Sequence, residues 1–364
     1  MYLNLKNLTK VYPNGVLAVR NLNLDIERGE FIVFLGPSGC GKTTTLRMLA
    51  GLETASAGSI VLDGREITSL APRDRNISMI FQSYAVWPHM TVAENIGYPL
   101  KLRRVKRAAI AAKVDHVAEV CGISEYLGRY PSQLSGGQRQ RVAVARALAV
   151  DSKLFLMDEP LSNLDAKLRV SVRTFLKEIH RESGATTIFV THDQSEAMAL
   201  ADRIVVMNGG SVEQVGTTRE IYNQCGSLFT AQFMGTPPAN IRTAKLEVRN
   251  GRLTAVADGK TGPVLLVLGD TARRAELSAH EGKTMTLAIR PEDIGVGPPS
   301  GTNETTIGIV EPQGAYTIVV ADVLERAWKI MVGGDENLVP GQRVSLAVDA
   351  TKVMLFDPES GKRI

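Results

Sequence analysis

A run of five apolar residues, Phe31-Ile32-Val33-Phe34-Leu35, passes directly into Gly36-Pro37-Ser38-Gly39-Cys40-Gly41-Lys42-Thr43, and helical spacing begins at Thr44. No other stretch constrains the chain so tightly. A buried strand, a turn of small residues and a helix entered through a lysine and a threonine form a unit whose backbone N–H groups point inward at an anion. The helix adds its positive N-terminal end. Lys42 reaches toward β- and γ-phosphates, and Thr43 offers a hydroxyl to Mg²⁺. Cys40 has two readings: a thiol made reactive by the helix end and Lys42, or a small residue that the turn tolerates.

Three further runs end on polar residues in the same way. Leu154-Phe155-Leu156-Met157 leads into Asp158-Glu159, Asn76-Ile77-Ser78-Met79-Ile80-Phe81 into Gln82, and Ile188-Phe189-Val190-Thr191 into His192. In an open parallel sheet, ligands bind just beyond the carboxyl ends of the strands, where these side chains fall. One carboxylate of the acidic pair can hold Mg²⁺ through water. The other can take a proton from an attacking water, a role that typically contributes ~10²–10⁴-fold. Gln82 can ligate the cation or position water, and His192 can hydrogen-bond a γ-phosphate. Taken singly, each is an ordinary strand-end group. Their order after the glycine-rich turn is what makes them candidates.

Between these motifs stands Leu134-Ser135-Gly136-Gly137-Gln138, which opens a clear helix over residues 140–148. A hydroxyl and free N–H groups at a positive helix end make a second anion site. The plainer reading is a capped helix with a flexible lead-in. Residues 92–130 are helical in pattern, with Ile110, Val114, Val117 and Cys121 at helical spacing, as an insertion between two halves of the sheet.

The chain has 364 residues, 44% of them hydrophobic and 22% charged, enough for two cores. Near residue 235 alternating strand and helix patterns give way to short strands with turns. One hairpin is expected at Leu246-Glu247-Val248-Arg249, Asn250-Gly251, Leu253. Gly235-Thr236-Pro237-Pro238-Ala239-Asn240 makes a stiff junction, and a small β-barrel is expected beyond it. A net charge of +4 does not call for nucleic acid. The basic run Lys101, Arg103, Arg104, Lys106 and Arg107 has no interleaved aromatics and reads as a solvated face. No stretch approaches the ~20 apolar residues of a membrane-spanning helix. The start lacks a secretory layout, and the three cysteines form no paired spacing. A cytosolic chain is expected, linked to a membrane only through a partner.

Leu134-Ser135-Gly136-Gly137-Gln138, in order with the other motifs, closely resembles the signature of the ATP-binding cassette family. The resemblance implies an α/β P-loop NTPase domain over residues 1–235 with a helical subdomain at about 88–150. An all-β, OB-like regulatory barrel of the TOBE/MOP type would follow over 236–364. It also implies an ATPase using ATP and Mg²⁺. The loop from Gly36 through Pro37, Ser38, Gly39, Cys40, Gly41, Lys42 and Thr43 to Thr44 would bind the nucleotide, with Tyr12 stacking on adenine. Thr43, Gln82 and Asp158 would serve the metal, Glu159 the proton, and His192 the γ-phosphate. In such a family Leu134 to Gln138 of one copy closes over the ATP of another, giving a head-to-tail homodimer. Asp165, in Ser162-Asn163-Leu164-Asp165, would lie on the loop crossing between copies.

Phe81-Gln82-Ser83-Tyr84-Ala85-Val86-Trp87-Pro88-His89-Met90-Thr91-Val92 and Ala288-Ile289-Arg290-Pro291-Glu292-Asp293 narrow the likeness to ATPase subunits of maltose-type sugar importers. Two transmembrane permease subunits and, indirectly, a solute-binding protein are then expected as partners. Tyr84, Val86, Trp87 and Pro88 would form an apolar lining for a permease helix. Three alternatives stand beside this: an importer of phosphate esters, polyamines or ferric ion, a non-transport ATPase, and a small-molecule kinase.

Overall fold

The computed structural model describes residues 1–152, 154–249, 251–259, 262–269 and 280–364. By compactness the chain divides into Met1–Arg219 and Glu220–Ile364.

The first unit contains two sheets. β1 (Leu3–Val11), β2 (Leu17–Ile26), β4 (Ala57–Leu62) and β5 (Arg65–Glu66) form an antiparallel sheet in the order β2-β1-β4-β5. The larger sheet has the order β10-β9-β3-β8-β7-β6, built from β3 (Phe31–Leu35), β6 (Ser78–Ile80), β7 (Leu154–Asp158), β8 (Thr186–Thr191), β9 (Arg203–Asn208) and β10 (Ser211–Gly216). Its strands run parallel except β10. Every residue of β3, β7 and β8 is buried, because a parallel sheet is covered on both faces. The core between the sheets joins Leu3, Leu5, Leu22 and Ile26 to Ile32, Phe34, Leu156 and Val190.

The register of this sheet aligns the functional loops. Leu35 pairs with Thr191, Asp158 with Val190, and Ile80 with Met157. The residues that follow, Gly36, His192, Glu159 and Gln82, therefore emerge at one edge from four adjacent strands. Helix α1 (Lys42–Ala50) leaves the glycine-rich turn. Helices α5 (Ala166–Ser183) and α6 (Gln194–Leu200) follow the acidic pair and His192.

The insertion comprises α2 (Val92–Leu102), α3 (Arg107–Val120) and α4 (Gly136–Leu148). Of the residues expected at helical spacing, Val114, Val117 and Cys121 are buried and Ile110 is half-buried. The lining expected around Trp87 needs correction. Tyr84 is only 6% exposed; Val86 and Trp87 are half-buried, and Pro88 is exposed. Arg146 draws this turn inward, donating to Tyr84 O at 3.0 Å and Ala85 O at 2.7 Å while lying over the Trp87 ring. Asn95, fully buried, fastens the next turn by donating to Trp87 O, Met90 O and Thr91 O. Lys101, Arg103, Arg104, Lys106 and Arg107 are exposed.

Helix α7 (Thr218–Asn223) crosses the division between units, and α8 (Leu228–Phe233) belongs to the second. Among the described residues ten strands follow: β11 (Asn240–Arg249), β12 (Arg252–Gly259), β13 (Gly262–Gly269), β14 (Thr284–Ile289), β15 (Ile294–Gly297), β16 (Glu304–Pro312), β17 (Tyr316–Val323), β18 (Arg326–Gly333), β19 (Arg343–Val348) and β20 (Met354–Phe356). They form two antiparallel sheets, β13-β12-β11-β14-β20 and β15-β19-β16-β17-β18, around one core containing Leu246, Leu268, Leu287, Val319 and Trp328. This is the all-β, OB-like unit. β11 and β12 form the expected hairpin; Gly251 has φ +76°, and Asn250 lies outside the described residues.

The change of sequence rhythm near 235 and the division at Arg219/Glu220 differ for a packing reason. Cys225, Ala231 and Ala239 share a core with Ala288, Met354 and Phe356. Arg290 strengthens the attachment, donating to Tyr222 O at 2.8 Å and to Met234 O, with its guanidinium 4.1 Å from the Tyr222 ring centroid.

Candidate active site

The turn after β3 accepts only glycine at two places. A Cβ on Gly36 would fall 2.3 Å from Met207 O, and one on Gly41, whose φ is +100°, would fall 2.4 Å from Ala18 O. The backbone thereby stays close to the sheet and opens outward. Lys42 is buried, and its Nζ donates to Gly36 O at 2.7 Å and Pro37 O at 2.9 Å. Those partners are neutral, so the ammonium charge remains for an anion at the mouth of the turn. Cys40 is buried beneath the loop, with Sγ 3.6 Å from Lys42 Nζ. Tyr12 is half-buried at the edge, its Oη 3.4 Å from Thr44 Oγ1 and its ring 5.0 Å from Lys10 Nζ.

Thr43 Oγ1 donates to Asp158 Oδ1 at 2.9 Å. Burial pushes the Asp158 carboxyl above the usual carboxylate range, against the pull of the Thr43 hydroxyl and of Arg47 and Lys42. A hydroxyl and a poorly solvated carboxylate side by side suit a hard divalent cation that takes its remaining oxygens from phosphate and water. The residues present fit Mg²⁺.

Glu159 turns out of β7 at φ +43°, a left-handed conformation costly for a side chain of this size. The amide of Glu159 donates to Val190 O at 3.0 Å, which holds the turn against β8. The Glu159 carboxylate then meets His192, with Oε2 3.2 Å from Nδ1. Gln82 joins from the next strand. Its Nε2 donates to Ser162 Oγ at 3.2 Å, and that hydroxyl donates to Glu159 O at 2.9 Å. A water held between Glu159 and a γ-phosphate would find a proton acceptor already oriented by an imidazole.

Within one chain, Leu134 to Gln138 is engaged elsewhere. Ser135 caps α4: its Oγ accepts from Gln138 N at 3.3 Å, and Gln138 Oε1 accepts from Ser135 N at 2.7 Å. Gly136 and Gly137 pack against α5 and the turn before it, so that a Cβ on Gly137 would fall 2.7 Å from Leu168 Cδ1. Asp165 caps α5, accepting from Leu168 N at 2.9 Å. Arg169 and Glu196 escaped the sequence reading. Arg169 Nη1 donates to Asp193 Oδ2 at 3.3 Å, and Thr191 Oγ1 donates to Glu196 Oε2 at 2.6 Å. The signal available for them was spacing: each stands four residues after a candidate, Asp165 or His192, at the start of a helix.

Comparison with known proteins follows the same lines. The family model described as ABC transporter matches residues 19–162, and that described as TOBE domain matches 287–356. The sn-glycerol-3-phosphate import ATP-binding protein UgpC 2 of Agrobacterium fabrum is 45% identical over 348 residues, 95% of this chain and 90% of that protein. The multiple sugar-binding transport ATP-binding protein MsmK of Streptococcus mutans is 43% identical over 375 residues, 98% of each. A solved dimeric ATP-binding cassette in a post-hydrolysis state with ADP and Pi is 32% identical, with TM-score 0.53, covering 60% of this chain and 99% of that one.

The fold and site thus define a cassette-type ATPase acting on ATP with Mg²⁺. The chain belongs to the ABC transporter family, among the ATP-binding subunits that carry a TOBE domain.

Proposed function

We propose that this chain is the motor subunit of an importer, working as a head-to-tail homodimer beneath two transmembrane permease subunits on the cytoplasmic side of the membrane. The solute is a sugar or a closely related polyol phosphate, delivered by a solute-binding protein. Support for import comes from relatives whose names describe import of glycerol phosphate or transport of multiple sugars. No described helix is long and apolar enough to cross a membrane, so the chain's link to the bilayer is through partners. Residues 1–235 supply the motor, with the helical portion at about 88–150, and residues 236–364 form a regulatory barrel.

The observation that carries the motor reading is the pairing of Glu159 with His192, at 3.2 Å, at the strand ends beside the Lys42 turn. Loop amides and Lys42 hold the phosphates, and Tyr12 supports the base. Thr43 and Asp158, with Gln82 alongside, hold the cation, which neutralises charge on the phosphate oxygens. Glu159 takes the proton of the attacking water, while His192 donates its N–H to the Glu159 carboxylate before nucleotide binds and to the γ-phosphate afterwards. Ser135, Gly136 and Gly137 of the second copy offer a capped helix end to the same phosphate. ATP must favour the closed pair over the open one, because a ligand moves an equilibrium only by its differential affinity.

The test uses Glu159→Gln, which keeps the shape of the site and removes its base. With Mg-ATP the variant is expected to elute as a stable ATP-bound dimer in size-exclusion chromatography. Monomer alone would overturn the paired arrangement. Co-purification of the parent with integral membrane proteins checks the location, and binding measurements on the partner receptor identify the solute.

A further inference from the structure

Beside Tyr12 stands a lysine that the motifs do not cover. Lys10, the last residue but one of β1, is only 8% exposed. Its Nζ lies 2.7 Å from Glu53 Oε1 and donates to Thr54 O at 2.8 Å. Glu53 belongs to the turn that closes α1, where the amides of Leu52 and Glu53 donate to Arg47 O at 2.9 and 3.2 Å. One ammonium thus joins the strand leading to Tyr12 to the end of the helix that leaves the phosphate turn. A lysine is rarely buried unless it is paired, and here a carboxylate and a carbonyl both meet it.

The same ammonium lies over the Tyr12 ring, 5.0 Å from its centroid. A cation at that distance is drawn to the ring face by its π electrons. The far end of the side chain is held as well, with Oη 3.4 Å from Thr44 Oγ1 in the first turn of α1. Glu53 joins the cluster: the Lys10 ammonium above all, with a smaller pull from the Tyr12 hydroxyl, holds its carboxyl below the usual range. The Tyr12 backbone is fixed by two bonds of 2.9 Å, from its amide to Val16 O and from Gly15 N to its carbonyl. The side chain is nevertheless half-buried, and Val11, Pro13 and Val16 around it are exposed.

We propose that Lys10 is a positioning residue for the base of ATP: its ammonium takes one face of the Tyr12 ring and leaves the other face set for adenine. With its neighbours so exposed, the ring depends on this cluster for its orientation. A ring already set in place loses little further freedom when a base stacks on it, so affinity is gained through preorganisation. The phosphates, held by the loop amides and Lys42, draw nothing from this arrangement. The role of Lys10 rests on the support for the base proposed above for Tyr12.

The experiment is calorimetric titration of the full chain with Mg-ADP and, separately, with Mg-tripolyphosphate, which has no base. The variants are Lys10→Met, Tyr12→Ala and the two combined. Lys10→Met is expected to raise Kd for ADP about five-fold, the scale of a cation–π contact, and Kd for tripolyphosphate less than about two-fold. On the Tyr12→Ala background the same substitution is expected to change Kd for ADP less than about two-fold, because the ring it acts through is gone. Lys10→Arg keeps a cation for the ring and is expected to hold ADP within about two-fold of the parent. Equal losses for both ligands would make Lys10 a strut that shapes the phosphate turn, and would overturn the positioning role. Unchanged ADP binding in Lys10→Met, an equal loss on both backgrounds, or a loss in Lys10→Arg as large as in Lys10→Met would overturn it too. Full ADP affinity in Tyr12→Ala alone would instead remove the role of Tyr12, and that of Lys10 with it. If Lys10→Met does not fold, Lys10→Gln replaces it, keeping a donor for Thr54 O without a charge for the ring. A loss confined to ADP then supports the role, and full ADP affinity overturns it.

Discussion

Thr43 Oγ1 donates to Asp158 Oδ1 at 2.9 Å across a sequence separation of 115 residues. The start of α1 and the end of β7 are thereby joined at the position proposed for the cation. Because burial raises the Asp158 pKa, the folded chain takes up this proton before the unfolded chain does. The stability linked to protonation is present below the unfolded value and is lost as pH rises through the raised folded value. Asp158→Asn, permanently neutral, is therefore expected to be more stable than the parent at neutral pH without nucleotide, by about 1 kcal/mol, and to lose hydrolysis. Thermal melts should show the gap closing on acidification through the raised pKa. A less stable variant at neutral pH would contradict the assignment.

Glu159 holds a left-handed backbone. Replacing it with glycine removes both the proposed base and the conformational penalty, whereas glutamine removes only the proposed base. Glu159→Gly is expected to be more stable than Glu159→Gln by about 1 kcal/mol, with both inactive. Urea unfolding of the two variants checks this, and equal midpoints would mean that no strain is held there.

Gly137 has a packing role and a proposed contact with the second copy, and these separate experimentally. A methyl group there meets Leu168 Cδ1, so Gly137→Ala is expected to cost about 1–3 kcal/mol. Adding Leu168→Ala provides space and should return much of that stability. Hydrolysis is expected to stay low in the double variant, because the proposed contact with the second copy runs through the backbone at this helix end, which the new methyl and the altered packing at Leu168 both disturb. Recovery of full ATPase activity would reduce the glycine to a packing residue.

Arg290 organises the start of the second unit through Tyr222 O, Met234 O and the Tyr222 ring, while Tyr222 Oη donates to Glu292 Oε1 at 2.5 Å. Arg290→Met leaves those carbonyls without their donor and is expected to cost about 3 kcal/mol. Calorimetry should show an earlier transition for the variant, and Arg290→Lys should recover only a fraction. An unchanged profile would mean that the shared core around Cys225 and Phe356 holds α8 unaided.

The phosphate turn, the acidic pair, Gln82 and His192 were legible because each is a contiguous run at the end of a strand that is itself contiguous. β3 announced itself by unbroken apolar composition, and β7 and β8 by short apolar runs that end on polar residues, as strands covered on both faces do. Tyr84 misled, since an aromatic beside Trp87 and Pro88 reads as exposed until Arg146, sixty-two residues later, is seen taking up its carbonyl. The division at Arg219/Glu220 was hidden for a similar reason: α8 reads as one more helix of the first part, yet its apolar side fits Ala288 and Phe356.

The amino-acid order by itself determined the class of chemistry, because phosphate, cation and proton each require particular side chains at fixed short spacing, and short spacing survives in a linear string. Tertiary structure alone decided which of those side chains face one another. The pairing of Thr43 with Asp158, the contact of Glu159 with His192, and the bonds from Arg169 to both adjoining turns depend on strand register and helix packing. Those are set by burial of apolar surface summed over residues far apart in the chain, which no local pattern records.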